Sequence, residues 1–243
     1  MRCDYTNRDE YRRIIAADMP CWRVQHLETE LFICADRLCE DAAAEAVRSL
    51  RSELDAYIAV NPQFSKSLEP VEPEKNAPET VKAMCRAAKS AGVGPMAAVA
   101  GAFSAQVGRQ ILKFSKQVIV ENGGDIFIKT DKQKTVAVFA GSSPLSLKVG
   151  IVVDSREMPM SVCTSSGTVG PSLSFGKADA AVVVSPNAYL ADACATRLGN
   201  EIKHAADIES ALDMMMRVPG VTGAMAIVDD VCGAVGDIRL ETL

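Results

Sequence analysis

The chain has 243 residues, 48% of them hydrophobic and 5% aromatic, with a formal net charge of -5 and an isoelectric point near 5.2. That length and composition suffice to bury a core without metal or disulfide staples. The acidic balance and the shortage of aromatic rings argue against a nucleic-acid partner, and no apolar run approaches the roughly 18 residues of a membrane span.

The first twenty residues mix acids and bases and contain no apolar signal-like run, so the cytoplasm is the expected location. The eight cysteines, Cys3, Cys21, Cys34, Cys39, Cys85, Cys163, Cys194 and Cys232, show no C-x-x-C spacing and are expected to be free thiols in a reducing compartment. Residues 22–35 carry enough β-branched and aromatic side chains for a strand pair. Residues 38–60, rich in Ala, Leu, Glu and Arg with apolar positions at helical intervals, predict a helix. The stretch 61–76, with three prolines, predicts a connecting loop.

Helices are predicted over 78–91 and 95–115, each opened by a proline suited to a first turn. The small, apolar start of the second suits either close packing or a helix N-terminus held near a ligand. A block of short strands follows, QVIVE, DIFIK, TVAVFAG, LSLKVGIVV and MSVCT, and such a succession favours antiparallel pairing. Residues 180–184 predict an apolar strand, 187–198 and 207–217 helices, the latter with Asp207 as a cap, and the last segment a hairpin around Asp229 and Asp230. The expected fold is α+β, with largely antiparallel sheets flanked by helices. It is taken as a single domain over 1–243, with a division into two lobes near residue 116 left open.

Three segments carry candidate chemistry. In VENGGDIF, Asn-Gly signals a tight hairpin turn, while Asn122, Gly123 and Gly124 between the carboxylates of Glu121 and Asp125 would equally admit a ligand against backbone amides. In CTSSGTVGPSLSFGKADA, the hydroxyls of Thr164, Ser165, Ser166, Thr168, Ser172 and Ser174, with Gly167 and Lys177, suit a phosphate-bearing small molecule, or form an ordinary polar loop. In PNAYLADACATRLGN, Asp192 and Thr196 lie four apart on one helical face, a carboxylate and a hydroxyl that suit Mg²⁺ or satisfy the protein's own backbone. His26 and His204 have no cysteine pair at zinc spacing, and the GxSxG elbow of a serine hydrolase is absent.

Taken in order, VENGGDIF, VCTSSGTVG and ADACAT resemble the C-terminal signatures of ApbE-type flavin transferases. With VGPMAAVAGA, AGSSPLS and SFGKADA added, almost the whole chain is similar to an uncharacterised family of ApbE-like proteins. The first resemblance implies an enzyme that uses magnesium and FAD to attach FMN to a threonine of an acceptor protein. It makes Asp192 and Thr196 the metal ligands, sets Asn122, Gly123, Gly124 and Asp125 beside the cofactor, and lines the same cleft with Thr164, Ser165, Ser166 and Gly167. Lys177 and Asp125 are the candidate catalytic residues. The chain departs from the transferases at Gly94–Gly101, where GPMAAVAG lacks their Asp and Lys, and in having no HIxDPxTG segment. In the closer family a histidine is expected where Pro171 stands, and Lys177 is the candidate for the missing positive charge. The expectation is an ApbE-like protein that holds a flavin or related phosphate-bearing cofactor with a divalent cation. A non-catalytic binding or carrier protein is the alternative, and a homo-oligomer is left open.

Overall fold

The computed structural model describes residues 19–169 and 174–243. The strand pair is β1 (Cys21–His26) and β2 (Thr29–Ala35), followed by helix α1 (Glu40–Val60) and, within the expected loop, a short helix α2 (Pro62–Lys66). Next come α3 (Glu79–Ala91) and a 3-10 turn over Pro95–Ala98 that leads into α4 (Val99–Ile111). The strand block resolves into β3 (Val118–Asn122), β4 (Asp125–Lys129), β5 (Lys134–Ala137), β6 (Val149–Val153) and β7 (Met160–Ser165). Then follow β8 (Ala180–Ser185), α5 (Ala188–Glu201), α6 (Ile208–Met216), β9 (Gly223–Val228), β10 (Val231–Gly236) and β11 (Arg239–Thr242).

Eight strands form one sheet in the order β1-β2-β3-β4-β7-β8-β9-β10, and β11, β6 and β5 form a second. Every registered pairing in both sheets is antiparallel, as the short successive strands predict. The order explains the composition of the strands. One face of the large sheet packs Val120, Phe127, Val183 and Ala226 against the helices, while the other packs Ile119, Ile126, Val182 and Ile227 against the small sheet. Residues pointing both ways are therefore buried, and β8 and β9 lie wholly in the interior as continuous apolar runs rather than alternating ones.

Two expectations change. Cys21 and Cys34 stand opposite one another across β1 and β2, with their Cα atoms 4.2 Å apart, and are disulfide-bonded rather than free. The pairing follows from the hairpin register, which brings both cysteines to the same rung. Asp207 ends a 3-10 turn instead of capping α6 through its side chain; its carboxylate accepts from the Lys203 and His204 amides, each at 2.9 Å. Cys3 and the charged opening residues up to 18 lie outside the described residues.

The helix layer closes by small-residue contact between α4 and α5. A Cβ at Gly101 would sit 2.3 Å from the Ala188 carbonyl oxygen and 2.9 Å from the Asp192 Cβ, so the two helices meet there with no room for a side chain. Two turns on, the Phe127 ring occupies the space above Gly108, where a Cβ would lie 2.4 Å from it. The glycines of α4 thus set its height above both the sheet and α5. Gly101→Ala is expected to destabilise the protein by about 1–3 kcal/mol, the usual range for overpacking, and to lower the melting temperature by several degrees. Gly199→Ala, whose new Cβ would meet only ordinary contacts at 3.4 Å, should leave the melting temperature level or raised.

Candidate functional site

The β3–β4 connection is a two-residue loop of Gly123 and Gly124, with φ of 66° and 112°. Asn122 pairs directly with Asp125, so the turn sits one residue beyond the expected Asn-Gly: the glycine pair supplies both positive φ angles and Asn122 closes the strand. Alternation then puts Asn122 and Asp125 on the helix-facing side with Phe127. The Asn122 Nδ2 group donates to the Ala100 carbonyl at 3.2 Å, docking the hairpin tip onto the start of α4.

Asp192 reaches the same place from α5. That helix starts cleanly because the Asn187 side-chain oxygen accepts from the Tyr189 and Leu190 amides. One turn later the Asp192 Oδ2 atom accepts from the Gly101 amide at 2.8 Å, so a carboxylate from one helix caps the N-terminus of another. The start of α4 is therefore packed and capped by the protein itself. Burial pushes the Asp192 carboxyl up to about 7, against the opposing pull of the Gly101 and Ala100 amides.

Asp125 is under heavier load. Burial raises its carboxyl well above the usual range, the Asp192 charge and then Glu121 add to the rise, and the Cys163 thiol and Thr164 amide pull the other way. Its Oδ1 atom has no hydrogen-bond partner. Cys163 stands opposite Asp125 on β7 and donates weakly to the Ala188 carbonyl at 3.8 Å. Its thiol is held well above the usual value by burial first, then by Asp125 and Asp192. The sequence spacing gave no sign of Cys163; only the β4–β7 register brings it to Asp125.

The hydroxyl-rich segment divides into residues with and without internal partners. Thr164 pairs with Val182 and turns toward the small sheet, while Ser165 lies half-buried beneath Gly199. The Ser166 hydroxyl accepts from the Thr168 and Val169 amides at 3.1 and 3.0 Å, an ordinary turn bond within its own loop. Thr168 donates at 2.9 Å to the buried Asp179, whose other oxygen accepts from the Asp229 amide at 2.8 Å. Asp179, which holds this loop, is not singled out by the sequence pattern. Gly167 lies against Gly176, and Gly176 against the Gly199 carbonyl, close backbone contacts that a side chain would break.

The structure thus brings Asn122, Asp125 and Asp192 together, with Thr196 half-buried one turn further along α5. Lys177 is exposed on the loop at the far end of α5, its amide bonded to the Ile202 carbonyl, and makes no ion pair with Asp125 or Asp192. Pro171 and Ser172 lie outside the described residues. Among the described residues no group of three or more His, Cys, Asp or Glu side chains is arranged to hold a metal, so a cation here would need hydroxyl, carbonyl or ligand oxygens as well. Among those residues, too, no helix is long and apolar enough to cross a membrane.

The chain matches the family described as AbpE bacteria over residues 12–239. It is 42% identical over 209 residues to a UPF0280 protein of Methanocella arvoryzae, covering 86% of this chain and 85% of the relative. A UPF0280 protein of Methanosarcina acetivorans is also 42% identical, over 214 residues, covering 87% of this chain and 84% of the relative. Among solved structures, the flavinyl transferase ApbE of Pseudomonas stutzeri shares the fold with a TM-score of 0.52 at 12% identity, covering 90% of this chain and 94% of that one. The ApbE protein of Thermotoga maritima gives 0.52 at 12% identity, covering 91% and 96%.

The raised carboxyls carry a stability consequence with a definite sign. A group whose folded value lies above its unfolded value of about 3.9 contributes stability that is complete at low pH and lost as pH rises through the folded value. With divalent cations chelated, the melting temperature should therefore fall as pH rises from about 4 to about 7, the span between the unfolded carboxyl and Asp192 at about 7, and level off above it. Asp192→Asn keeps an oxygen for the Gly101 amide but cannot ionise, and thermal scans across that window should show the fall flattened.

Proposed function

We propose that this chain, which belongs to the AbpE bacteria family, binds a flavin nucleotide or related phosphate-bearing cofactor with a divalent cation at the junction of the β3–β4 hairpin, α4 and α5. The observation that carries the proposal is the buried Asp125 Oδ1 atom without a partner, facing a second buried carboxylate. Two desolvated acids in one place are costly unless something positive joins them. The donors are all oxygen, from the Asp125 and Asp192 carboxylates and the Thr196 hydroxyl, which fits a hard cation such as Mg²⁺ and not zinc.

In this proposal Asp192 and Thr196 hold the cation, with Asp125 beside them; when bound, the metal neutralises phosphate charge. Asn122 fixes the hairpin tip to Ala100, so the glycine pair presents its backbone to the cofactor at a set height. Ser165 and the Gly167 backbone edge the same cleft, Thr164 contributes its backbone amide beside Asp125, and Lys177 supplies positive charge from the loop at the end of α5. Asp125, whose carboxyl is raised above the usual range by burial first and then by the Asp192 charge, is the candidate catalytic group beside the cation. Where transfer occurs, its chemistry is attack at the pyrophosphate, with an acceptor protein receiving the flavin phosphate.

A second proposal, a binding or carrier protein without turnover, is favoured by the capped start of α4. That helix end has neither Asp nor Lys in GPMAAVAG, and its Gly101 amide is already bonded to Asp192. Calorimetric titration with FAD, with and without Mg²⁺, tests the common ground. The expected outcome is saturable binding that Mg²⁺ strengthens, with at least a tenfold loss of the Mg²⁺ effect in Asp125→Asn and in Thr196→Val. Absence of FAD binding in both conditions would end the flavin proposal. Release of AMP on incubation with FAD would mark a transferase; saturation without AMP would mark a binder.

A further inference from the structure

The loop at the C-terminal end of α5 combines an immobilised backbone with an exposed aromatic ring. The Phe175 amide donates to Asn200 Oδ1 at 2.9 Å, and its carbonyl accepts from Lys203 Nζ. Gly176 packs directly on the Gly199 carbonyl, and the Lys177 amide donates to Ile202 at 2.8 Å. Four successive backbone contacts thus hold residues 175–177 against the helix end, yet the Phe175 side chain is 54% exposed. An apolar ring more than half exposed on a loop whose backbone is held in place is a surface for something else to cover.

Its position relates it to the proposed site. Asp192, Thr196 and Asn200 follow one another at four-residue intervals along α5, so the helix face that bears the two proposed cation ligands also bears the anchor of Phe175. At a rise of 1.5 Å per residue, the anchor lies about 12 Å along the axis from Asp192. A ligand whose phosphates sit at Asp192 and Thr196 needs a planar ring about that far away to reach the Phe175 loop, the span of a nucleotide and not of a bare phosphate. Phe114, the other phenylalanine exposed to a similar degree, ends α4 in a turn and has no such relation to the helix face.

We infer that Phe175 is a specificity-determining residue that stacks on a planar heteroaromatic ring of the bound cofactor, so that the site selects ring-bearing phosphates over simple ones. This rests on the proposed cation site at Asp192 and Thr196. Stacking requires no new polar partner.

The test is calorimetry in Mg²⁺ with FAD, FMN, ADP and inorganic pyrophosphate, on the unaltered chain, Phe175→Ala and Phe175→Trp. Phe175→Ala should weaken FAD about tenfold while leaving pyrophosphate unchanged, and Phe175→Trp should restore FAD binding. A loss confined to FMN identifies the flavin ring as the stacked one, and a loss confined to ADP identifies adenine. Unchanged FAD affinity in Phe175→Ala, or equal weakening of FAD and pyrophosphate, overturns the inference while the cation site stands. If the unaltered chain binds pyrophosphate with Mg²⁺ but no ring-bearing ligand, the flavin proposal falls and this subsite with it.

Discussion

The contact on which the helix layer depends is the hydrogen bond from the Gly101 amide to the Asp192 carboxylate. It forms only because Gly101 lacks a side chain, which lets the Ala188–Asp192 turn of α5 approach the first turn of α4. Burying a carboxylate costs several kcal/mol, and here the free amides and the positive end of a helix offset much of it. The same approach sets where the β3–β4 hairpin ends, since Asn122 bonds to Ala100, the residue before Gly101. Helix α4, helix α5 and the hairpin are thereby fixed to one another through two consecutive backbone positions, Ala100 and Gly101.

Asp125 lies inside that junction without equivalent compensation. Asp192 has amides to accept from, whereas Asp125 has an empty oxygen and a neighbouring acid. A fold selected for stability alone would put an amide or an apolar side chain at that rung, since the same face continues with Phe127 and meets Cys163 across the strand. The retained acid is an energetic defect of the packed state, and such defects concentrate where a ligand completes the structure. The unpartnered acid is the feature of the packed state on which the proposed site rests.

The elements were legible because their signals are local. Prolines stand at the start of α3 and of the turn before α4, apolar positions recur at helical spacing in α1, and the glycine pair marks the hairpin, whereas the short α2 lies inside a stretch that the sequence marks as loop. The sheet order was not legible. Strands β5 and β6 leave the large sheet to pair with β11 from the chain terminus, a choice made by burial between the two sheets that no short window carries. The disulfide was hidden for a related reason: Cys21 and Cys34 are partners only once the hairpin turn is placed at Leu27 and Glu28, which fixes their rung. Asp192 and Thr196 stood out as polar residues in a run of small ones, whereas Cys163 and Asp179 gain their meaning from pairings across the sheet and its loops.

The hydroxyl loop shows why residue type alone overstates a site. Five hydroxyl-bearing residues in the described part of that segment look alike in sequence, yet Ser166 and Thr168 spend their hydrogen-bonding capacity on the turn and on Asp179. Asp179 in turn holds the Asp229 amide, and Ser143 bonds the Asp229 carbonyl, so the loop is braced by the β9–β10 turn and by the segment between β5 and β6. Rigidity of that kind is what a binding edge requires, because a ligand then meets groups already ordered and loses less conformational freedom on docking. The residues that brace the edge are therefore different from those that meet the ligand. In the proposed site Ser165, which has no internal side-chain partner among the described residues and lies on the helix side of β7, is the hydroxyl left to meet a ligand, while Ser166, Thr168 and Asp179 determine where it stands.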